Sequence, residues 1–340
     1  MLFRSKAAVL VKIDKPLDIK EVELTDLKVG QVLVKVLVSG LCGAQIHEIK
    51  GYKGNEKFLP HLMGHEGCGI VEELGPGVTT VKVGDKVVMH WRPGTGIEAP
   101  FPTYIMDGKT MSSGKVTTLS EYSIVSENRL TVVPQDTPSE LCAILGCALT
   151  TAMGIIDNEV DLKFGESVAV IGTGGVGLNL IQAAAMKSAC PIYAVDTNLS
   201  KKDLCFSVGA SFFTNSVVNI EDPVDVIIDT TGIPEVISES ISKLSGNGRM
   251  ILVGQPAPGK MVEVMNAVNL FNGIGQSIKA TQGGKTNPHQ DIPRYVKMYK
   301  EGIFSIDQIV THRFKLDQIN EAFELLKSGN AGRIIIEIGV

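Results

Sequence analysis

The sequence predicts an α/β protein in which a doubly wound parallel sheet is inserted into a β-rich domain. Up to about residue 150, the apolar residues form short runs with the two-residue period of strands, separated by Gly, Pro and Asp. From Ser167 onward, short apolar runs alternate with helical patterns, which is typical of a parallel sheet. The chain has 340 residues, enough for two buried cores.

The first half of the chain supplies the strands of the β-rich domain. Its strand-like runs are AAVLVKI, QVLVKVLVSGLC, GCGIVEELG, DKVVMHW and SEYSIVSENRLTVVP. Between the last two runs lies the segment 92–115, RPGTGIEAPFPTYIMDGKTMSSGK, which is rich in Gly, Pro and Ser. This composition predicts a long surface loop.

The second half begins with a helical pattern after Pro138 and continues with the strand-like runs SVAVIG, PIYAVD, SFFTN, DVIIDTTG and RMILVG. After Gly284 follow an amphipathic helix, the run FSIDQIVTHRF, the helix LDQINEAFELLKSG and a last strand, RIIIEIGV. We therefore expect the β-rich domain over 1–148 and the parallel-sheet domain over 149–284. We expect a return segment over 285–340 that completes the first domain.

The stretch SVAVIGTGGVGLNLIQAAAMKSACPIYAVD has the parts of a dinucleotide-binding βαβ unit in order. The glycines of its turn are Gly172, Gly174, Gly175 and Gly177. The G-x-G-x-x-G spacing permits a tight turn, lets the backbone approach a pyrophosphate and allows close packing of helix on strand. Asp196 closes the next strand, 19 residues after Gly177, where a carboxylate accepts hydrogen bonds from an adenosine ribose. This part of the chain is therefore expected to bind NAD, with NADP disfavoured.

Charge and composition exclude several classes of partner. The net charge is −5 and no basic cluster is present, which argues against nucleic acid and against an anionic membrane. The first apolar run is too short for a signal peptide, and we expect a cytoplasmic protein. The six cysteines are scattered, unlike those of a disulfide-stapled secreted domain.

Three separate stretches ahead of the glycine motif carry side chains that could bind a metal. They contain Cys42 in GLCGAQIHEIKG, the pair His65 and Glu66 in LMGHEGCGIVEELGPGV, and Cys147 in ILGCALTTAMGII. Each stretch alone is weak, because most such cysteines are packed core residues and a single histidine is more often a satisfied polar side chain. Their combination with a nucleotide motif downstream indicates a functional site.

Over essentially its whole length the chain resembles the zinc-dependent medium-chain alcohol and polyol dehydrogenases. The motifs that carry the resemblance are GLCGAQIHEIKG, GHEGCGIVEELGPGVTTVKVGDKVV, ALTTAMG, VAVIGTGGVGLNLIQ and SGNAGRIIIEI. In that family a GroES-like β domain carries the catalytic zinc, a Rossmann domain carries NAD or NADP, and the reaction takes place in the cleft between them. The resemblance thus implies a GroES-like catalytic domain with an inserted Rossmann domain.

The resemblance implies the role of the candidate metal ligands. Cys42, His65 and Cys147 would bind the zinc, and Glu66 would lie behind the metal, either next to its ligands or as a transient ligand. Two thiolates and one imidazole leave a fourth position for water or substrate, the composition known for catalytic zinc in alcohol dehydrogenases. His47 stands at the usual end of a proton relay.

The same resemblance assigns residues to the cofactor and the substrate. It implies that Asp196 and Lys201 contact the adenosine ribose and that Arg333 contacts the pyrophosphate. Trp91 occupies a position where the family usually has an aromatic residue lining the substrate pocket. A buried tryptophan of the core remains the alternative for Trp91, since buried aromatic residues are common.

The sequence also departs from the family pattern. No cysteine lies between Cys68 and Cys142, although many relatives place four cysteines there for a structural zinc, so we expect only the catalytic zinc. Gly43 replaces an arginine that some relatives use on the pyrophosphate, and Ala44 replaces the hydroxyl that begins the relay. Gln45 stands where an aspartate often orients the ligand histidine. These changes alter the usual path of the proton and leave the three candidate zinc ligands in place.

The expected function is that of an NAD-dependent zinc enzyme that oxidises an alcohol, a polyol or a sugar-like hydroxyl, or reduces the aldehyde or ketone. Two alternatives remain: a zinc-free reductase of the same superfamily acting on quinones or activated alkenes, and a nucleotide-binding protein without turnover. We also expect a homodimer or homotetramer joined near RMILVG and the apolar segment MVEVMNAVNLFNG, because an exposed strand edge favours symmetric pairing.

Overall fold

A computed structural model of the chain describes residues 4–54, 56–264 and 275–339. The chain divides into two compact units. The first consists of Met1–Thr150, Asn287–Gly302 and Val310–Val340, and the second of Thr151–Thr286 and Ile303–Ile309. Residues 303–309, which lie inside the return segment expected over 285–340, group with the second unit. There the backbone N–H of Ser305 donates a hydrogen bond to the side chain of Gln182 at 3.2 Å.

Most strands of the first unit follow one another without a helix between them, whereas strands and helices alternate in the second unit. In chain order the strands are β1 Arg4–Leu10, β2 Asp18–Leu24, β3 Gln31–Gly40, β4 His61–Leu62, β5 Glu66–Leu74, β6 Lys86–His90, β7 Thr103–Met106, β8 Lys109–Ser112, β9 Tyr122–Ser126, β10 Leu130–Val133, β11 Val168–Ile171, β12 Ile192–Val195, β13 Phe212–Thr214, β14 Val224–Asp229, β15 Leu244–Leu252, β16 Ser277–Ala280, β17 Val310–Lys315 and β18 Arg333–Glu337.

The α-helices have 6 to 13 residues and occur in both units, with the longest in the first. The α-helices are α1 Gly43–Ile49, α2 Ser139–Leu145, α3 Ala148–Gly154, α4 Gly175–Met186, α5 Lys202–Ser207, α6 Pro234–Ile241, Pro288–Lys300 and Ile319–Ser328, with a π-helix over Ile155–Val160. The 3-10 helices are Glu56–Phe58, Glu127–Arg129, Leu199–Lys201, Val217–Asn219 and Leu316–Gln318. Among the described residues no single helix is long and apolar enough to cross a membrane; one bent pair, Ser139–Leu145 with Ala148–Val160, passes by length and composition.

The first unit contains a closed barrel and a seven-stranded sheet. The barrel has the order β1-β2-β7-β8-β4, and the sheet has the order β10-β6-β5-β3-β18-β17 with β9 also paired to β3. Strand β3, with the sequence QVLVKVLVSG, is buried along nearly its whole length because strands or core residues cover both of its faces. It leads from this core directly to the first candidate metal ligand.

The segment expected to be a long surface loop, 92–115, contains a hairpin. Strands β7 and β8 pair within it and join the barrel through β2 and β4. Asp107 and Gly108 connect the two strands, with φ angles of 50° and 73°. Both central residues have the positive φ of a type I′ hairpin turn, for which Asp-Gly is a preferred sequence. The Gly, Pro and Ser residues around this dipeptide obscured that signal.

The second unit has a six-stranded sheet with the order β13-β12-β11-β14-β15-β16, and every neighbouring pair in it is parallel. This is the predicted doubly wound sheet. The expected subunit edge at RMILVG is wrong, since Arg249–Leu252 of β15 lies inside the sheet between β14 and β16. Of the apolar segment MVEVMNAVNLFNG, residues 265–273 lie outside the described residues.

Candidate active site

Cys42 lies at the start of helix α1, directly after strand β3. It is the N-cap residue of the helix and has an extended backbone, with φ −124° and ψ 145°. Its backbone N–H donates a hydrogen bond to Oε1 of Gln45 at 2.8 Å, and its carbonyl accepts one from the backbone N–H of Gln45 at 3.0 Å. The thiol therefore projects from a helix terminus whose backbone is fixed.

His65 and Glu66 stand at the start of strand β5. The preceding Gly64 has φ +94°, and a Cβ there would lie 2.3 Å from a threonine hydroxyl oxygen, so the turn requires glycine. The fully buried side chain of Glu66 fits against two more glycines. A Cβ on Gly40 would lie 2.9 Å from the Cδ of Glu66, and a Cβ on Gly146 would lie 2.7 Å from the Cβ of Glu66.

Cys147 lies between helices α2 and α3. A Cβ on the preceding Gly146 would lie 2.4 Å from the carbonyl oxygen of Met89 on strand β6. The missing side chain therefore lets this connection approach the strands closely, which places the 8% exposed Cys147 next to the sheet.

The three candidate ligands converge in the first unit. The metal-binding atoms of Cys42, His65 and Cys147 all lie within 4.8 Å of one another. The pKa of the Cys42 thiol is well below its usual value because it is hydrogen-bonded to Cys147 and lies beside His65 and Arg333, which outweighs the opposite effect of burial. A low thiol pKa favours the thiolate, which is the form that binds a metal.

Arg333 and Glu66 form a buried ion pair behind these ligands. The side chains are 3% and 0% exposed, and Nη2 of Arg333 contacts Oε1 of Glu66. Arg333 is also hydrogen-bonded to the Cys42 side chain. The position follows from the topology, since Gly40 of β3 pairs antiparallel with Ile335 of β18 and the next residues along bring Cys42 opposite Arg333.

Trp91 directly follows strand β6, at the register position opposite the candidate ligand His65. Strands β5 and β6 pair with Glu66 opposite His90, so one step beyond the ladder His65 faces Trp91. The indole packs partly buried on the apolar core cluster of the β-rich unit, and the guanidinium of Arg92 lies 5.7 Å from its ring centre. Both interpretations of Trp91 fit this position, because it packs on the core and is next to a candidate ligand.

The glycine motif of the second unit forms the turn between β11 and α4. Gly172 has φ +85°, and a Cβ on Gly177 would lie 2.0 Å from the Gly172 carbonyl oxygen, so helix and strand approach as closely as the motif requires. Gly174 is the N-cap residue of α4, which begins at Gly175. A Cβ on Gly174 would meet no described atom within 4 Å, so the backbone is open on that side.

Asp196 is bonded to the glycine-rich turn. Its Oδ2 accepts hydrogen bonds from the backbone N–H and the hydroxyl of Thr173 at 2.9 and 2.7 Å, and its Oδ1 accepts one from the backbone N–H of Asn198 at 2.9 Å. Lys201 lies 3.3 Å from Oδ2. Burial would raise the pKa of Asp196, but these hydrogen bonds and the charge of Lys201 hold it below its usual value.

His47 lies on helix α1, at the opposite end from Cys42. Its ring is partly buried and packs on Tyr52, with 5.6 Å between ring centres. Burial, and then the charges of Lys53 and Lys50, lower the pKa of His47, which favours the neutral form of the imidazole.

Sequence reasoning missed two features of this site. Arg333 was expected at a pyrophosphate, and the structure places it beside Glu66 and Cys42; its cofactor role stays a prediction. Gln45 was noted only as a departure from the family, whereas its side chain holds the backbone of Cys42. The signal available in the sequence was its place three residues after an N-cap, where Glu and Gln commonly bond back.

Comparison with known proteins identifies the family. The alcohol dehydrogenase GroES-like domain model matches residues 28–135, and the glucose dehydrogenase C-terminus model matches residues 160–330. Alcohol dehydrogenase 6 of Peromyscus maniculatus is 31% identical, with 98% of each chain covered. The chain belongs to the zinc-dependent medium-chain alcohol dehydrogenases. S-(hydroxymethyl)glutathione dehydrogenase of Paracoccus denitrificans is also similar, at 29% identity over 98% of this chain and 99% of the relative.

Solved structures of the medium-chain alcohol dehydrogenases share this fold over the whole chain. An alcohol dehydrogenase zinc-binding domain protein from Burkholderia ambifaria has a TM-score of 0.90 at 28% identity, with 99% of each chain covered. Benzyl alcohol dehydrogenase from Acinetobacter calcoaceticus has a TM-score of 0.89 at 27% identity, covering 99% of this chain and 100% of that chain. The predicted family and fold class are thus confirmed, and this member of the family is an oxidoreductase.

Proposed function

We propose that this protein is an NAD-dependent alcohol dehydrogenase with one catalytic zinc, acting on an alcohol, a polyol or a sugar-like hydroxyl. The observation that carries the proposal is the convergence of Cys42, His65 and Cys147, whose metal-binding atoms lie within 4.8 Å of one another. In this proposal the first unit holds the metal and the second unit holds the nucleotide.

The donor set at this site fits zinc. Two sulfurs and an imidazole nitrogen are the ligands found at catalytic zinc in alcohol dehydrogenases, and they leave a fourth position for the substrate. Among the described residues, Oε2 of Glu66 is buried without a hydrogen-bond partner, although its other oxygen contacts Arg333. A carboxylate oxygen with free lone pairs suits the proposed role of Glu66 as a transient ligand behind the metal.

When bound, zinc would favour loss of the hydroxyl proton, and NAD would accept the hydride from the adjoining carbon. The residues of the chain would bind and orient these groups. Arg333 balances the charge of Glu66, so the pair adds no net charge behind the ligands. Trp91, opposite His65, would present an apolar wall to the substrate and exclude water from it.

The second unit supports NAD as the cofactor. The open backbone at Gly174 and the N-terminus of α4 suit a pyrophosphate, with Gly172, Gly175 and Gly177 shaping the turn. The Asp196 carboxylate would accept hydrogen bonds from the adenosine ribose and repel a 2′-phosphate, with Lys201 beside it.

A single zinc per chain is expected for two reasons. Among the described residues, Cys42, His65 and Cys147 form the one cluster of His, Cys, Asp and Glu side chains that could hold a metal. The window between Cys68 and Cys142, where a structural zinc would bind in many relatives, contains no cysteine.

Elemental analysis of the purified protein tests this proposal. We expect about one zinc per chain, and we expect Cys147→Ser to lose most of it because a neutral hydroxyl is a much poorer ligand than a thiolate. Cys190→Ser is the matched control, since Cys190 is exposed and outside the cluster. Two zincs per chain, or full zinc content in Cys147→Ser, would contradict the assignment.

Measurements of enzymatic turnover then identify the class of substrate. We expect NADH production from at least one class in a panel of simple alcohols, polyols, sugars and their nucleotide-linked forms. Cys147→Ser should abolish this activity while Cys190→Ser retains it, which separates an enzyme from a nucleotide-binding protein without turnover. A reductase of quinones or alkenes would instead keep its activity in Cys147→Ser.

A further inference from the structure

Gln45 makes two hydrogen bonds to a single residue, the candidate metal ligand Cys42. Its side-chain Oε1 accepts the backbone N–H of Cys42 at 2.8 Å, and its own backbone N–H donates to the Cys42 carbonyl oxygen at 3.0 Å. Both backbone polar groups of the candidate metal ligand are therefore bonded to one residue. Gln45 is fully buried, so water does not compete for these bonds.

The other end of the same amide is unsatisfied. Nε2 of Gln45 is buried and has no hydrogen-bond partner among the residues that the structure describes. Burying an amide with half of its hydrogen-bonding groups unmet is unfavourable, and an apolar side chain of similar size would avoid that penalty. The residue type is therefore explained by the bond that Oε1 makes, which an apolar side chain cannot make.

We propose that Gln45 is a positioning residue of the metal site, and that its Oε1 fixes Cys42 in the orientation that brings its sulfur to His65 and Cys147. This inference rests on the proposed zinc site. Without the bond, the N-cap residue of a helix of only 7 residues can rotate about its φ angle and carry the sulfur away from the other two ligands.

The alternative is that Gln45 merely stabilises the first turn of α1. That role would change the stability of the protein and leave the affinity for metal unaltered. The chain contains a matched residue with which to separate the two roles. Gln31 is also buried; its Oε1 accepts the Lys28 backbone N–H at 2.9 Å, and its Nε2 donates to the Pro100 carbonyl at 3.1 Å. It makes the same i, i+3 bond away from any candidate ligand.

The experiment compares Gln45→Met, Gln45→Glu and Gln31→Met with the wild type. Zinc affinity is measured by competition with a chromophoric chelator, and the site is monitored by the charge-transfer and d–d absorption of the cobalt-substituted protein. We expect Gln45→Met to bind zinc about 10-fold to 100-fold more weakly, as is typical when a residue that orients a ligand is lost, with an altered cobalt spectrum. Gln45→Glu keeps the acceptor and should restore the affinity. Gln31→Met should bind zinc like the wild type.

Three results would overturn the inference: wild-type zinc affinity in Gln45→Met, an equal loss in Gln31→Met, or the same loss in Gln45→Glu as in Gln45→Met. Should Gln45→Met fail to fold, Gln45→Ala removes the bond without adding bulk and is measured in its place. A wild-type protein that binds no zinc refutes the proposed function instead, so the two failures are distinguishable.

Discussion

At the scale of single residues, the site is organised by atoms that bond to the backbone of another functional residue. Gln45 holds Cys42, and Asp196 holds the glycine-rich turn through the backbone N–H of Thr173. Such bonds position a group without taking part in the chemistry. A substitution of Asp196 therefore affects both the binding of the ribose and the structure of the turn. Only the ratio of the activities with NAD and NADP isolates the effect on the ribose.

We predict that the enzyme prefers NAD to NADP by about tenfold or more, equal to about 1.4 kcal/mol, because the Asp196 carboxylate repels a 2′-phosphate. Asp196→Asn should narrow this ratio of kcat/KM values by removing the charge. Asp203→Asn is the control, because Asp203 is an exposed acid on the following helix. An equal or better kcat/KM with NADP in the wild type would show that Asp196 does not face the ribose.

The second prediction at this scale concerns the removal of the substrate proton. Ala44 lies between Cys42 and His47 on helix α1, and its methyl group can neither donate nor accept a proton. A direct relay through this position is absent. A positioned acid or base contributes about a hundredfold or more in rate, so we expect His47→Gln to cost less than about tenfold in kcat on simple alcohols. Ala44→Ser should leave their oxidation unchanged or faster.

Pre-steady-state hydride transfer followed across pH in both variants checks this expectation. A loss near a hundredfold in His47→Gln, together with a changed pH profile, would mean that a relay operates through water and that the methyl group of Ala44 does not interrupt it.

At the scale of elements, the side chain of Glu127 holds the segment that follows strand β6. Buried Glu127 accepts backbone hydrogen bonds from Thr79 and Thr80 through Oε1, at 2.7 and 2.8 Å, and from Ile97 through Oε2 at 2.7 Å. One carboxylate thus ties two loops together. A Cβ on Gly96 would lie 2.9 Å from the Glu127 Cγ, so the segment fits tightly around it.

We predict that Glu127→Gln destabilises the protein by about 1–3 kcal/mol, because its NH2 group would face a backbone N–H and leave it unsatisfied. Glu121→Gln is the control, since Glu121 accepts one backbone N–H, from Lys6. Thermal unfolding measures both variants, and zinc content should stay unchanged. If Glu127→Gln and Glu121→Gln unfold at the same temperature, the prediction that Glu127 contributes more to stability than Glu121 is wrong.

The effect should also depend on pH. Burial would raise the pKa of Glu127, but the three N–H bonds outweigh it and lower the pKa. The folded state therefore binds this proton less readily than the unfolded chain, and the stabilising contribution is present above the unfolded pKa of about 4.3. It is lost as the pH falls through the lower folded pKa. The difference between the wild type and Glu127→Gln should shrink on acidification through that range.

Elements with a local signal were predictable from the sequence, and contacts between distant elements were not. The turn at Gly172 and the strand ending before Asp196 follow from a motif of neighbouring residues. The Arg333–Glu66 pair depends on β18 joining β3 from the other end of the chain, which no local pattern encodes. The hairpin turn at 107–108 had a local signal that was obscured by composition.

At the scale of the whole molecule, strand β16 is the last strand at one edge of the sheet of the second unit. Strand β16 pairs with β15, and no other described strand pairs with β16. Three of its four residues, Ser277, Ile278 and Ala280, are exposed. Unpaired backbone groups along such an edge favour pairing with a second copy, and a two-fold axis there would extend the sheet across both subunits. This edge replaces the one expected at RMILVG.

We predict a homodimer joined through the β16 edge, or a tetramer built from it. Sedimentation at micromolar concentration should show no dominant monomer in the wild type. Ile278→Lys should shift the distribution toward monomer, because it places a charge at the paired edge. Phe212→Lys, on strand β13 at the opposite edge of the same sheet, is the control and should keep the wild-type assembly. A monomeric wild type would contradict the predicted assembly. If Phe212→Lys forms monomers and Ile278→Lys does not, the interface lies at the β13 edge instead of the β16 edge.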